Sequence, residues 1–145
     1  MADHLTKGKR SWNMSRIRSK NTKPEMAVRK HLYSKGFRYR LHVNDIPGKP
    51  DLSNKTKKIA VFVNGCFWHQ HKNCSRSTIP KTNKKYWIPK LNRNVSRFKE
   101  NINDLKSFGW KVFIIWECEL KNNVKEIKAI NEIHIANKEN SIKIR

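Results

Sequence analysis

From Leu91 onward, apolar residues recur at Val95, Phe98, Ile102, Leu105 and Phe108. Spacings of three and four place such residues on one face of an α-helix, so the pattern predicts a helix running from Lys90 to the stop at Gly109. Two compact apolar runs rich in branched residues, Ile59–Val63 and Trp110–Trp116, read as buried strands. Phe37 to His42 alternates apolar and basic residues, which suits a half-exposed strand. A turn carrying Asn-Asp and Pro-Gly follows over Val43 to Pro50, then a short strand around Asp51 to Ser53 and a lysine-rich turn.

An earlier helix starts at Thr22-Lys-Pro-Glu25. The threonine hydroxyl can cap the third amide, the glutamate can reach back to the cap amide, and proline is tolerated in a first turn. Met26, Val28, His31, Leu32 and Tyr33 give this helix an apolar side, and Gly36 ends it. Val124, Ile127 and Ile130 suggest a last helix. The segment Gly65 to Trp87 has no clean period and reads as an ordered loop held by metal. The order helix, three strands, helix, strand, helix predicts an α/β domain: a short mixed sheet flanked by helices. One domain is expected over 1–145, with a basic arm (1–21), a core (22–120) and a C-terminal helix or tail (121–145).

Charge narrows the partner. Lys and Arg number 33 against 11 Asp and Glu, a formal net charge of +22. Such a surface attracts polyanions, nucleic acid first among them, with affinity expected to fall steeply as salt rises. The plain alternative is a generally basic surface. No apolar run approaches the ~20 residues of a spanning helix, and no secretion signal is apparent, so a cytoplasmic protein is expected. Three cysteines would leave one unpaired in a secreted chain; in a reducing compartment they read as thiolates on a metal.

Cys66, His71 and Cys74 share one short loop, and Cys118 stands just past the strand Trp110–Trp116. If that strand neighbours Ile59–Val63, Cys66 and Cys118 sit near the ends of paired strands, and a tetrahedral zinc would clamp the loop to the sheet. Four protein ligands leave no reactive water, so the site would be structural. The alternative is a set of small buried residues with a solvent-facing histidine.

The same stretch offers parts for phosphodiester hydrolysis, which needs a cation on the scissile oxygens and a base for water. Magnesium prefers oxygen and keeps several waters, so one or two carboxylates suffice. Asp51, at the start of a strand, is the leading ligand, and could share a cation with a backbone carbonyl near Val63 and Asn64. His69 can take a proton from water near neutral pH, and Glu25 can orient a metal-bound water. Each has a simpler reading: a turn residue for Asp51, a helix cap for Glu25, and a solvated histidine or the zinc ligand in place of His71 for His69. Phe67, Trp68, Tyr86 and Trp87 lie in a basic, irregular segment, where rings can stack on or wedge between bases. Alternatively, Tyr86 and Trp87 cover the metal loop.

These residues resemble the bacterial very short patch repair endonuclease. The matching stretches are Arg10-Ser-Trp-Asn-Met-Ser-Arg-Ile, Thr22-Lys-Pro-Glu, Pro47-Gly-Lys-Pro-Asp, Val63-Asn-Gly-Cys-Phe-Trp-His-Gln-His, Lys90-Leu-Asn-Arg-Asn-Val, Leu105-Lys-Ser-Phe-Gly-Trp and Trp116-Glu-Cys. The resemblance implies a restriction-endonuclease-like fold with structural zinc and catalytic magnesium. It implies a nick in one strand, 5′ of the mispaired thymine of a T·G mismatch in double-stranded DNA, by a monomer that works with repair proteins. Carried onto this chain, Asp51 and the Val63 carbonyl bind magnesium, His69 is the general base and Glu25 an acid behind the metal. Cys66, His71, Cys74 and Cys118 hold zinc. Phe67, Trp68 and Trp87 wedge into the duplex, Met14 enters from the minor groove with Ile17 on the same arm, and Lys90 and Asn94 face the mismatched pair. The best-known member has histidine where this chain has Asn64 and aspartate where it has Phe98. Asn64 can donate and accept but not titrate near neutrality, so its transition-state contact is expected to be weaker, and Phe98 reads as core. Two further readings stand beside this one: an endonuclease cutting both strands of matched duplex, and a non-catalytic, zinc-stapled DNA-binding module.

Overall fold

A computed structural model describes residues 21–121 and 123–143. Met14 and Ile17 lie outside the described residues. Among these described residues, three α-helices and four strands follow in the order α1 (Lys23–Ser34), β1 (Arg40–Leu41), β2 (Leu52–Asn54), β3 (Ile59–Asn64), α2 (Lys84–Ser107), β4 (Lys111–Trp116) and α3 (Lys128–Lys143). The sheet order is β1-β2-β3-β4. β1 with β2 and β2 with β3 are antiparallel, whereas β3 and β4 run parallel from Ile59↔Lys111 to Asn64↔Trp116. A parallel pair needs a crossover, and α2 lies within it.

β3 is apolar from Ile59 to Val63 because both of its faces are covered. Ile59 and Val61 pack with Val28 and Leu32 of α1 and Ile130 and Ile133 of α3. Ala60 and Phe62 point the other way, to Ile102 and Leu105 of α2. The result is a mixed sheet with helices on both faces. No helix among the described residues is long and apolar enough to cross a membrane.

Several boundaries differ from the sequence pattern. Only Arg40–Leu41 of the expected strand from Phe37 to His42 pairs, although Phe37 is fully buried. β2 begins at Leu52, leaving Asp51 at its mouth. α2 begins at Lys84, not Lys90, and contains Pro89. Proline removes one backbone donor and normally reads as a boundary; burial of Trp87 and Leu91 on either side of it carries the helix through. Val95 and Phe108 of the expected stripe are exposed, Phe108 by 63% because it lies past the end of the helix as its C-cap. Val124 belongs to a separate 3-10 turn capped by Asn123, and extended backbone at Ile127 breaks that turn from α3.

Candidate active site and thiol cluster

The carboxyl end of β3 is where the chemistry collects, and the sheet topology accounts for it. β2 runs antiparallel to β3, so the residue before β2, Asp51, lies beside the last residues of β3; its Oδ2 accepts the Val63 N–H at 2.7 Å. β1 runs antiparallel to β2 with Leu41 opposite Leu52. The next pair outward is therefore His42 and Asp51, and His42 Nδ1 lies 3.9 Å from Asp51 Oδ1. His42 adopts a left-handed backbone (φ 47°), which turns the chain out of β1.

Glu25 reaches this point from the first turn of α1 and is 2% exposed. Its Oε2 is 3.1 Å from His42 Nε2 and pairs with the Arg29 guanidinium one turn along the helix. Thr22 Oγ1 accepts the Glu25 N–H at 3.3 Å, as the capping pattern predicts, but Glu25 Oε1 accepts from Asn21 N, one residue before the expected cap amide. Burial pushes the Asp51 carboxyl up to about 7; the Glu25 charge adds to the rise, and the Val63 amide and Arg29 oppose it. A carboxylate whose charged form is so disfavoured fits a cation site.

Beyond β3 the chain turns back on itself, His71 N–H donating to the Cys66 carbonyl at 2.9 Å. Gln70 is left-handed (φ 47°), and that reversal separates the two histidines beside it. His71 stacks on Trp116 at 4.0 Å between ring centres, with Nδ1 3.7 Å from Cys66 Sγ and 3.4 Å from Cys118 Sγ. The donor atoms of Cys66, His71, Cys74 and Cys118 all lie within 4.8 Å of one another. A tetrahedral zinc with ordinary bond lengths sets sulfur and nitrogen about 3.6 Å apart, so this donor set fits zinc. Burial pushes the Cys66 thiol up to about 12, with Cys118 and Cys74 crowding it. A hydrogen bond from the Arg76 amide draws the Cys74 thiol down.

His69 takes the other side of the loop. Its ring meets Phe98 edge-on at 4.9 Å, its Nδ1 is buried with no hydrogen-bond partner, and burial lowers its pKa. It opens into a cleft of about 1270 Å³ that also takes in Glu25, His42, Asp51 and Asn64. Asn64, at the end of β3, is 3% exposed and its Nδ2 also lacks a partner. Lys90, Asn94 and Phe98 also line the cleft, from one face of α2. Phe98 packs edge-on against Phe62, in keeping with its reading as core.

Phe67 and Trp68 stand at the cleft, half-buried, their rings 5.1 Å apart. Trp87, expected beside them as an exposed wedge, is 5% exposed and packs behind both, 5.4 Å from Phe67 and 6.0 Å from Trp68. It is buried because α2 extends back to Lys84 and draws it under the loop. His42 and Arg29 were missed by sequence reasoning. The signal for His42 was the strand register, since a hairpin pairing Leu41 with Leu52 sets His42 against Asp51.

Residues 2–76 match the family described as DNA mismatch endonuclease Vsr. The type II nicking enzyme V.NmeAIP of Neisseria meningitidis is 46% identical over 122 residues, which cover 84% of this chain and 86% of that protein. The type II nicking enzyme V.XorIIP of Xanthomonas oryzae is 43% identical over 122 residues, 84% of this chain and 89% of that one. The DNA mismatch endonuclease Vsr of Escherichia coli is 35% identical over 125 residues, 86% of this chain and 80% of that one. Relatives of this kind make the protein an endodeoxyribonuclease. The chain belongs to the Vsr family of DNA mismatch endonucleases.

Proposed function

We propose that this protein nicks one strand of duplex DNA 5′ of the mispaired thymine in a T·G mismatch, with magnesium at Asp51 and a structural zinc in the thiol cluster, on a restriction-endonuclease-like fold. One observation carries the reading: Asp51 and His69 open into one cleft that Phe67 and Trp68 flank. The type II nicking enzymes among its relatives favour cutting of a single strand.

Asp51, with the Val63 carbonyl, would hold magnesium, which when bound supplies positive charge to the scissile phosphate. The depressed His69 pKa keeps its imidazole neutral near pH 7, so it can accept a proton from the attacking water. Asn64 Nδ2 donates to a phosphate oxygen. Glu25, pinned by Arg29, holds His42 beside Asp51. Cleavage leaves a 3′-hydroxyl and a 5′-phosphate.

Phe67 and Trp68 insert beside the mismatch, where weakened pairing lowers the unstacking cost, and Trp87 backs them. Lys90 and Asn94 face the mismatched pair, and the basic arm with Met14 and Ile17 meets the minor groove. Zinc held by Cys66, His71, Cys74 and Cys118 would fix the loop that carries Phe67, Trp68 and His69. The protein acts as a cytoplasmic monomer, and repair proteins take up its product.

The test is strand-resolved cleavage of T·G, other mismatched and matched duplexes, with magnesium or with a chelator. Magnesium-dependent nicking of the thymine strand of T·G alone is expected. Cutting of both strands of matched duplex, or binding without cleavage, would replace the proposal with one of the two other readings.

A further inference from the structure

His42 has no role in the reading above beyond its contact with Glu25, yet its geometry is that of a ligand. Its Nε2 faces Glu25 Oε2 at 3.1 Å and Arg29 Nη2 at 3.3 Å. Arg29 Nη2 already donates to Glu25 Oε2 and to Asn21 Oδ1, and an NH₂ group has only two hydrogens. Nothing is left to donate to the imidazole. Glu25 Oε2 already accepts from Arg29, and in the tautomer that fits this contact Nε2 carries the hydrogen and gives it to Glu25 as well. In the neutral ring this leaves a lone pair on Nδ1, on the side of Asp51. A carboxylate that fixes the far nitrogen of an imidazole is the usual support behind a metal-bound histidine.

The distance across the gap agrees. Nδ1 and Asp51 Oδ1 are 3.9 Å apart, too far for a hydrogen bond. Two ligands at about 2.1 Å lie about 3.0 Å apart when adjacent in an octahedron and about 4.2 Å when opposite, so a small shift of the ring or the carboxylate brings both onto one cation. Glu25, His42 and Asp51 present donor atoms within 4.8 Å of one another. Alongside, Asn64, almost wholly buried, lines the same cleft with an unpartnered Nδ2, a donor that calls for an acceptor such as a phosphate oxygen next to the cation.

We propose that His42 Nδ1 is a direct ligand, with Asp51, of the divalent cation in the cleft, and that this mixed nitrogen–oxygen site binds manganese in preference to magnesium. The inference rests on the cation site proposed at Asp51 and adds a ligand and a metal preference to it. Imidazole suits transition-metal ions, whereas magnesium favours oxygen. Glu25 is then a positioning residue, holding the imidazole and leaving the cation to its neighbours.

The experiment is manganese titration of the full-length, zinc-loaded protein, read by paramagnetic resonance for nitrogen-14 coupling from a directly bound imidazole. The wild-type protein is expected to show that coupling, and magnesium to displace the manganese only in molar excess. His42→Gln keeps a donor for Glu25 but removes the ring; it is expected to lose the coupling and about tenfold or more in manganese affinity. His69→Gln is expected to keep the coupling. A wild-type spectrum without nitrogen coupling overturns the proposal and needs no variant. Coupling that survives His42→Gln, or that disappears with His69→Gln, overturns it as well. Asp51→Asn separates the two levels: lost manganese binding and lost nicking uphold the underlying cation site even if His42 fails. Retention of both would remove that site.

Discussion

The thiol cluster and the acidic pocket lie at the same end of β3 and follow opposite plans. Cys66, His71, Cys74 and Cys118 supply four donors from one loop and the end of the neighbouring strand, closed over by the Trp116 ring. The pocket at Glu25, His42 and Asp51 gathers its donors from α1, β1 and the mouth of β2, and opens onto the cleft. Four protein donors fill a tetrahedron and leave nothing to react, while an incomplete set leaves room for water and a phosphate. On the proposed reading one carboxyl end would separate stapling from catalysis by only a few residues, and the left-handed Gln70 divides His71 from His69.

The largest effect should come from opening the closed site. Zinc binding in small domains is worth about 10–16 kcal/mol, comparable with the roughly 5–15 kcal/mol that keeps a domain folded. Cys118→Ser should therefore lose zinc by metal analysis and drop the melting temperature on the order of 10 °C or more. Full zinc occupancy in that variant would break the comparison. On the other side of Gln70, His69→Ala should keep its zinc and slow nicking about 10²–10⁴-fold, the usual contribution of a positioned base. Loss of zinc there would mean that the two histidines share one job.

Smaller changes sharpen the contrast. Trp68→Ala should weaken binding to a T·G duplex by about 1–3 kcal/mol, the range for one base-stacking ring, measured against matched duplex at fixed salt. Equal loss on both duplexes would take the ring out of mismatch recognition. The stability of the fold should also depend on pH. The Asp51 carboxyl rises from 3.8 to about 7 on folding, so the folded state binds that proton more tightly than the unfolded chain. The resulting stability is whole below 3.8 and gone above 7. Without added magnesium, the denaturant midpoint of the wild-type protein should fall between these pH values, and Asp51→Asn should flatten that slope.

The strands β3 and β4 and the C-terminal two-thirds of α2 were legible because burial on defined faces imposes period and composition on a sequence. The start of α2 was not, because Pro89 is a local breaker and the burial of Trp87 that outweighs it is a tertiary effect. Asp51, His69 and the four sulfur and nitrogen donors could be picked out by residue type and spacing. His42 could not, since its contact with Asp51 depends on which residues pair across a hairpin. Spacing put His71 with the thiols and kept His69 as the alternative; the left-handed Gln70 turns the His71 ring, not that of His69, toward the sulfurs. For Trp87 the residue type allowed both a DNA-facing ring and a cover for the loop, and its burial against Phe67 and Trp68 favours the cover.

The most direct measurement is strand-resolved nicking of a T·G duplex by Asp51→Asn, with zinc content and melting temperature read on the same sample. The expected result is zinc at the wild-type level, a melting temperature at or above wild type, and a rate lower by about 4 kcal/mol of barrier, roughly 10³-fold. Wild-type nicking by that variant would contradict the account, because the buried carboxylate would then play no part in cutting DNA.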